Sequence, residues 1–332
     1  MARKGFNQFF GNRIIILKRM KEMKSNFEFT FTVFTPTFNR AYVLERLYNS
    51  LKKQTFRDFE WIIIDDGSED GTKELVDKWK KEAWFPINYI WQPNSGKHVA
   101  INRGVEVARG FLFLIVDSDD WLGPNGLERL LYLWETIPEE DANNFAGVGG
   151  LLAFPNGEII GDVFPTQVWD SNMLDRWLKW GIKGDKMECF RTDVLRLYKF
   201  PEDIGKFVPE GIVWNKIGNK YKMRYFNEII AYREYLPDGL SSKGLSFAMK
   251  TALARWLYFK DLCALVSKRR DVSFYKKIRF CVSYTRFALH ARVSIVKQFL
   301  ESSLKIWWII SFPVGLGVFI WDHIRVKIMN QN

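Results

Sequence analysis

Helices alternating with strands over residues 27 to about 136 predict an α/β fold, a three-layer, mostly parallel sheet with helices on both faces. Two further observations agree. The run FLFLIV at 111–116 has no polar alternation, which is the pattern of a strand covered on both sides. Each predicted strand also runs into a polar or acidic loop, which places one extended ligand crevice along a single sheet edge.

The elements follow in order. FTFTVFTPTFNR is a strand and its loop, and YVLERLYNSLKKQ has the 3.6-residue apolar period of a helix. FEWIIIDDGSEDG is a second strand and turn, followed by the helix TKELVDKWKKEA. NYIWQPNSG supplies a third strand, KHVAINRGVEVARG a third helix, and FLFLIV the fourth strand. From 145 to 242 the character changes to short apolar runs with Gly147, Gly149 and Gly150, as expected where a sheet turns partly antiparallel. After 243 long amphipathic stretches predict helices. The organisation is therefore a basic extension (1–26), a catalytic domain (27–242, dividing near 136 into donor and acceptor halves) and a basic helical region (243–332).

Charge divides along the same lines. The net +11 comprises +6 over 1–26, −7 over 27–242 and +12 over 243–332. An acidic middle argues against a nucleic-acid enzyme, whose working surface is basic. Basic, aromatic-rich ends fit an anionic membrane surface, the alternative being helices that pack on the catalytic domain or a second subunit. The terminal apolar run 306–321 spans about 24 Å as a helix, short of a hydrocarbon core of about 30 Å, which predicts an interfacial or re-entrant segment. Residues 1–24 have a four-residue apolar core and do not read as a secretory signal. Three separated cysteines and three histidines without ligand spacing exclude a disulfide framework, a zinc site and a Ser-His-Asp triad.

The chemistry concentrates at DSDD. Asp117, Asp119 and Asp120 at a strand end repel one another and are costly to desolvate, so a cation belongs among them. Mg2+ or Mn2+ held by one or two carboxylates and completed by substrate phosphates fits; a helix cap for the segment near Pro124 is the structural alternative. Neither GxGxxG nor GxxxxGK[ST] occurs in the required context. DDGSEDG places acids at some calcium-loop positions but follows a strand and lacks the closing Glu.

The stretch TPTFNRAYVLERLYNSLKKQTFRDFEWIIIDDGSEDGT, followed by NSGKHVAINRGVEVARGFLFLIVDSDDWLGP, resembles the nucleotide-sugar half of a family 2 glycosyltransferase of the A-type fold. The resemblance covers residues 30 to about 136. It implies that Thr35, Pro36 and Thr37 run along the nucleotide, that Asp66 bonds the base, usually uracil, and that Asp117 holds the ribose. Ser118 then falls in the donor site, and Asp119 coordinates the metal bridging the diphosphate. Lys97 approaches the phosphates, or is simply surface charge. Many members carry Arg before the helix Asn, where this chain has Ile101 before Asn102. That departure leaves open which cation assists the leaving group.

In the acceptor half, direct displacement needs a carboxylate beside the acceptor hydroxyl. Glu210, followed by Trp214 and Lys216, matches the family pattern of an acid at a helix start; Glu202 and Asp203 are the competitors, and a first-turn acid favoured by the helix dipole is the plain reading. Glu188 is expected to line the acceptor site, and Arg233, Ser241 and Ser242 to close over the phosphates. The chain therefore reads as a metal-dependent, inverting transferase. It takes a nucleotide diphosphate sugar, UDP-sugar by resemblance, and a glycan or lipid-linked acceptor in cell-surface polysaccharide synthesis. Its expected place is peripheral, on the cytoplasmic face of the cell membrane. A sugar-1-phosphate nucleotidyltransferase and a non-catalytic polyanion-binding protein are the alternatives.

Overall fold

The computed structural model describes residues 26–236, 239 and 244–329. The basic extension, Ser241, Ser242 and the proposed boundary at 242 lie outside the described residues or at their edge. The N-terminal half alternates as expected: β1 (Phe29–Thr37), α1 (Ala41–Lys52), β2 (Phe59–Asp65), α2 (Thr72–Glu82), β3 (Ile87–Trp91), α3 (Lys97–Val107) and β4 (Gly110–Ile115). Strands β3, β2, β1 and β4 lie side by side and parallel, so their carboxyl ends share one edge.

The absence of alternation in these strands has its expected cause, since both faces are buried. One face presents Phe31, Val33, Trp61, Ile63, Leu112 and Leu114 to the apolar sides of α1, α2 and α4 (Gly126–Glu135). The other presents Phe34, Ile62, Ile64 and Phe113 to α3, α6 (Thr192–Leu197) and α7 (Gly211–Lys220). Gly104 makes the second contact possible. A Cβ there would stand 2.2 Å from the Phe34 ring, so only glycine lets α3 lie this close to β1. Glu60, fully buried within β2, accepts from Thr32 Oγ1 (2.8 Å), Arg109 N (2.7 Å) and Arg109 Nε (2.9 Å), which satisfies an otherwise costly charge.

The sheet continues through β8 (Lys186–Arg191), β6 (Phe145–Ala153) and β9 (Lys222–Arg233) to β5 (Asp120–Leu122), with β7 (Val168–Ser171) also on β9. Here pairing is mixed, β6 being parallel to β9 and the other ladders antiparallel. Strand β5 begins within the acid cluster, where the sequence predicts a cation site, with a helix cap as its alternative, and no strand. Its register puts Asp120 directly across from Arg233.

Helices α8 (Gly244–Lys250), α9 (Ala252–Ser267), α10 (Phe274–His290), α11 (Ile295–Glu301) and α12 (Lys305–Met329) complete the chain. Their core joins Trp256, Leu262, Tyr284, Phe287 and Trp308 to Leu174 and Leu178 of α5 (Met173–Leu178). The helical region is thereby packed against the acceptor half. The aromatics expected at a membrane divide: Trp256 and Trp308 are buried in this core, whereas Phe274 is exposed. Apolar 306–321 is part of a longer helix of 25 residues that continues through Pro313.

Candidate active site

The carboxyl edge gathers the predicted donor residues. Thr35 is fully buried and its Oγ1 accepts from Trp61 Nε1 (2.9 Å), so this hydroxyl holds the sheet together. Pro36 pairs with Ile64 in the ladder. Thr37 ends β1, and its buried Oγ1 has no hydrogen-bond partner among the described residues. Asp66 is buried with both oxygens engaged. One accepts from Gln92 Nε2 (2.7 Å) and Ser95 N (2.8 Å), the other from Gly96 N (2.8 Å). The carboxylate expected at the base thus closes the loop between β3 and α3.

That loop is tightly placed. Gly96 has φ +103°, and a Cβ there would lie 2.2 Å from the Lys206 carbonyl oxygen. Asn102 draws in the same acceptor segment, donating to the Phe200 carbonyl (2.9 Å) and to Glu202 Oε1 (2.7 Å). Glu202 is thereby committed to the loop, and Asp203 is exposed beside it.

Lys97, the first residue of α3, joins the two halves. Its Nζ lies 2.7 Å from Asp117 Oδ1 and 2.7 Å from Glu210 Oε1. Burial opposes its charge, but the two carboxylates prevail and hold Lys97 above the ordinary lysine range. Asp117 is held below the usual carboxylate range because Lys97 and Arg233 outweigh the effect of burial. Glu210 immediately precedes α7, and its Oε2 accepts from Trp214 Nε1 (3.1 Å). Lys216 instead turns to Asp261, 2.9 Å away on α9.

The three clustered acids have different fates. Asp120 is buried and receives Arg233 through two bonds of 2.8 and 2.7 Å, so Arg233, expected over the phosphates, is committed to holding β5 on β9. Arg233 also approaches Asp117 at 3.6 Å. The cations expected among these acids are therefore in large part the protein's own. Asp119 is the remaining carboxylate; burial, then the charge of Asp117, raises its affinity for a proton. Ser118 is buried between them. No group of three or more His, Cys, Asp or Glu residues poised for a metal occurs among the described residues. One free carboxylate nevertheless fits a cation that is bound mostly by substrate phosphates, the usual arrangement for Mg2+. Arg46, which the sequence did not single out, donates to the Asp119 carbonyl (3.4 Å) and lies 4.8 Å over the Trp121 ring.

Glu188 lies deeper. It accepts from Tyr225 OH (2.8 Å) and faces Arg176 at 3.5 Å, and burial pushes its carboxyl up. Neighbouring Lys186 is buried, with Nζ 3.2 Å from the carbonyls of Ile160 and Lys183; burial and then Arg176 push it down to about 8. Neither Arg176 nor Lys186 had a sequence signal, since Arg176 is defined by Glu188 on β8 and Lys186 by backbone carbonyls of the loops at Ile160 and Lys183.

Comparison with known proteins accords with this geometry. Residues 32–146 match the family model described as Glycosyl transferase family 2. The chain is 28% identical over 272 residues to a GalNAc(5)-diNAcBac-PP-undecaprenol beta-1,3-glucosyltransferase of Campylobacter jejuni, the match covering 78% of this chain and 81% of that one. An uncharacterized glycosyltransferase of Nostoc is 33% identical over 105 residues, 32% of this chain and only 33% of the relative. Among solved structures, Staphylococcus aureus TarS in complex with UDP-GlcNAc gives a TM-score of 0.54 at 20% identity, covering 88% of this chain and 81% of that one. A Pyrobaculum calidifontis mannosyltransferase in complex with GDP-Man and Mn2+ gives 0.50 at 15% identity, covering 94% and 96%. These two likenesses concern the fold.

Proposed function

We propose that this chain, whose residues 32–146 match the family model described as Glycosyl transferase family 2, works as a metal-dependent, inverting enzyme moving a sugar from a nucleotide diphosphate donor to a hydroxyl of a glycan or lipid-linked acceptor. The observation that carries this reading is the single ammonium of Lys97, 2.7 Å from a donor-half and an acceptor-half carboxylate. A base and a diphosphate-binding group must meet at one point for in-line displacement, and Lys97 marks that point.

In this reading the nucleotide lies over the end of β1 at Thr37, with Thr35 and Pro36 shaping that end from within the sheet, and over the loop that Asp66 closes, with Asp117 and Ser118 toward the ribose. Asp119 would hold Mg2+ or Mn2+ against the diphosphate. The ion supplies Lewis-acid stabilisation of the negative charge that develops there. Glu210 takes the proton of the acceptor hydroxyl, whose oxygen attacks the anomeric carbon as the bond to the diphosphate breaks. The configuration at that carbon inverts. The leaving group departs with the bonding electron pair, and Lys97, released from Glu210, neutralises part of it. A UDP-sugar donor draws support from the TarS complex, and a lipid-linked acceptor in polysaccharide synthesis from the activity named for the Campylobacter relative. Peripheral attachment at the cytoplasmic membrane face follows from such an acceptor and from the basic C-terminal region.

The test is Glu210→Gln. Donor binding, read as nucleotide-sugar protection against thermal unfolding, stays as in the parent. Transfer slows by about 10² to 10⁴, the usual worth of a positioned base. Normal turnover by Glu210→Gln with loss in Asp203→Asn transfers the role to Asp203.

A further inference from the structure

The outward face of the C-terminal helices is not explained by the fold. Helix α12 contacts the protein through a narrow stripe, Trp308, Ser311, Gly315 and Asp322, at helical spacing. The contact is close and polar. A Cβ on Gly315 would lie 2.7 Å from Thr285 Cβ on α10. The buried Asp322 carboxylate receives Arg286 Nη2 (2.7 Å) and faces His290 Nε2 at 2.9 Å, both also on α10. This lock fixes the rotation of α12 about its axis. Ile306, Ile309, Ile310, Val314, Ile320 and Trp321 are then left facing away from the protein, each at least half exposed. Most of this apolar stretch is therefore exposed. Adjacent α11 adds Ile295, Val296 and Leu300 to the exposed set, and Phe299 joins the two helices by its 5.7 Å ring contact with Trp308. Soluble monomers rarely expose apolar surface on this scale.

Charge and helix direction identify the occupant. Arg292, Lys297, Lys305, Arg325 and Lys327 are exposed on or beside this surface. The two acids of the same stretch are both engaged, Glu301 by Lys260 and Asp322 by Arg286. A self-complementary dimer through this face would set cations against cations, whereas anionic lipid headgroups complement them. At 25 residues, or about 37 Å, α12 is long enough to cross a bilayer. Its neighbour prevents this. Helix α10 runs alongside in the same direction, Phe274 meeting Trp307 at one end and His290 meeting Phe319 and Asp322 at the other. Crossing would draw Lys276, Lys277 and Arg279 of α10, which lie beside the first turns of α12, into the hydrocarbon, where each cation is costly.

We propose that α11 and α12 form a monotopic platform lying in the plane of an anionic bilayer surface, with their apolar face in the boundary between headgroups and acyl chains. The proposal deepens the peripheral placement given above and rests on it. An enzyme seated in this way meets a lipid-linked acceptor at the depth where its head emerges.

The test uses the full chain with phosphatidylcholine vesicles, with or without phosphatidylglycerol. Co-sedimentation is expected with the anionic vesicles, weakening at high salt as screening grows. The pair Ile310→Glu and Ile320→Glu is expected to reduce binding at least about tenfold while leaving transfer to a water-soluble acceptor unchanged. Orientation is read by spin labels on Ile306→Cys, Val314→Cys and Ile324→Cys, one at a time, the native cysteines being buried. Similar depths at all three positions support the platform. Depths graded by some 20 Å or more between Ile306 and Ile324 would mean a crossing helix and overturn it. It is equally overturned if the parent ignores vesicles and forms a dimer that the double substitution dissociates. In either case transfer in solution, slowed in Glu210→Gln, still reports separately on the enzymatic reading.

Discussion

Replacing Lys97 with Met removes the ammonium between Asp117 and Glu210 and keeps most of the side-chain volume. Two oxygens each 2.7 Å from one Nζ are at most about 5.4 Å apart. At roughly 5 Å and an effective dielectric of about 20, two bare carboxylates repel by about 3 kcal/mol. Arg233 already offsets part of the Asp117 charge, and the three side chains are 27 to 38% exposed, so about 1 to 2 kcal/mol is a fairer expectation. Two effects follow. The folded state loses a few degrees of Tm at neutral pH and recovers them in acid, where Asp117 takes a proton and the repulsion disappears. Transfer also slows, because the leaving diphosphate loses the ammonium that neutralises it. Differential scanning fluorimetry across pH and steady-state rates of transfer measure both. A Lys97→Met protein with unchanged Tm and unchanged kcat would refute the ion triad as a feature of the active site.

Asp119 carries a charge that burial and Asp117 both oppose, so Asp119→Asn is expected to raise Tm slightly at neutral pH while abolishing metal-dependent protection by donor; retained protection with the same Mn2+ dependence would reject it as the metal ligand. Buried Lys186, pushed down to about 8 from 10.5, binds fewer protons folded than unfolded between those values. Its penalty is full below pH 8 and is relieved as pH rises toward 10.5, by at most about 3 kcal/mol. The stability of the parent relative to Lys186→Met should accordingly increase over that window in urea titrations, and a flat difference would show that the two carbonyls fully solvate the ammonium.

The legible parts of this protein were those set by local pattern. Strands β1, β2 and β4 bury both faces, and the absence of alternation in FTFTVF, FEWIII and FLFLIV says so directly. The carboxylates at their ends were visible for the same reason, because a charge cluster after an apolar run needs no tertiary information to be noticed. What each acid does depends on partners far along the chain. Asp120 meets Arg233 across 113 residues, and the three-residue β5 exists only because β9 lies beside it. Lys97 was noticed as a helix-start cation, but its position between Asp117 and Glu210 could be seen only when both halves were folded.

The C-terminal region shows the same division from the opposite side. Pro313, Gly315 and Gly317 weigh against a continuous helix on local grounds, because glycine and proline within a helix cost roughly 1 and 3 kcal/mol in isolation. In the folded chain Ser311 and Gly315 lie on the stripe that faces α10, where a small residue permits the close approach and packing offsets its poor propensity. The helix therefore runs on to Met329 and carries Asp322 to Arg286. Which aromatics are covered follows from that rotation: Trp308 turns inward and Trp321 outward, although both stand in the same apolar run. Periodicity showed that these helices have two faces, and the buried carboxylate of Asp322 determines which of them is turned away from the protein.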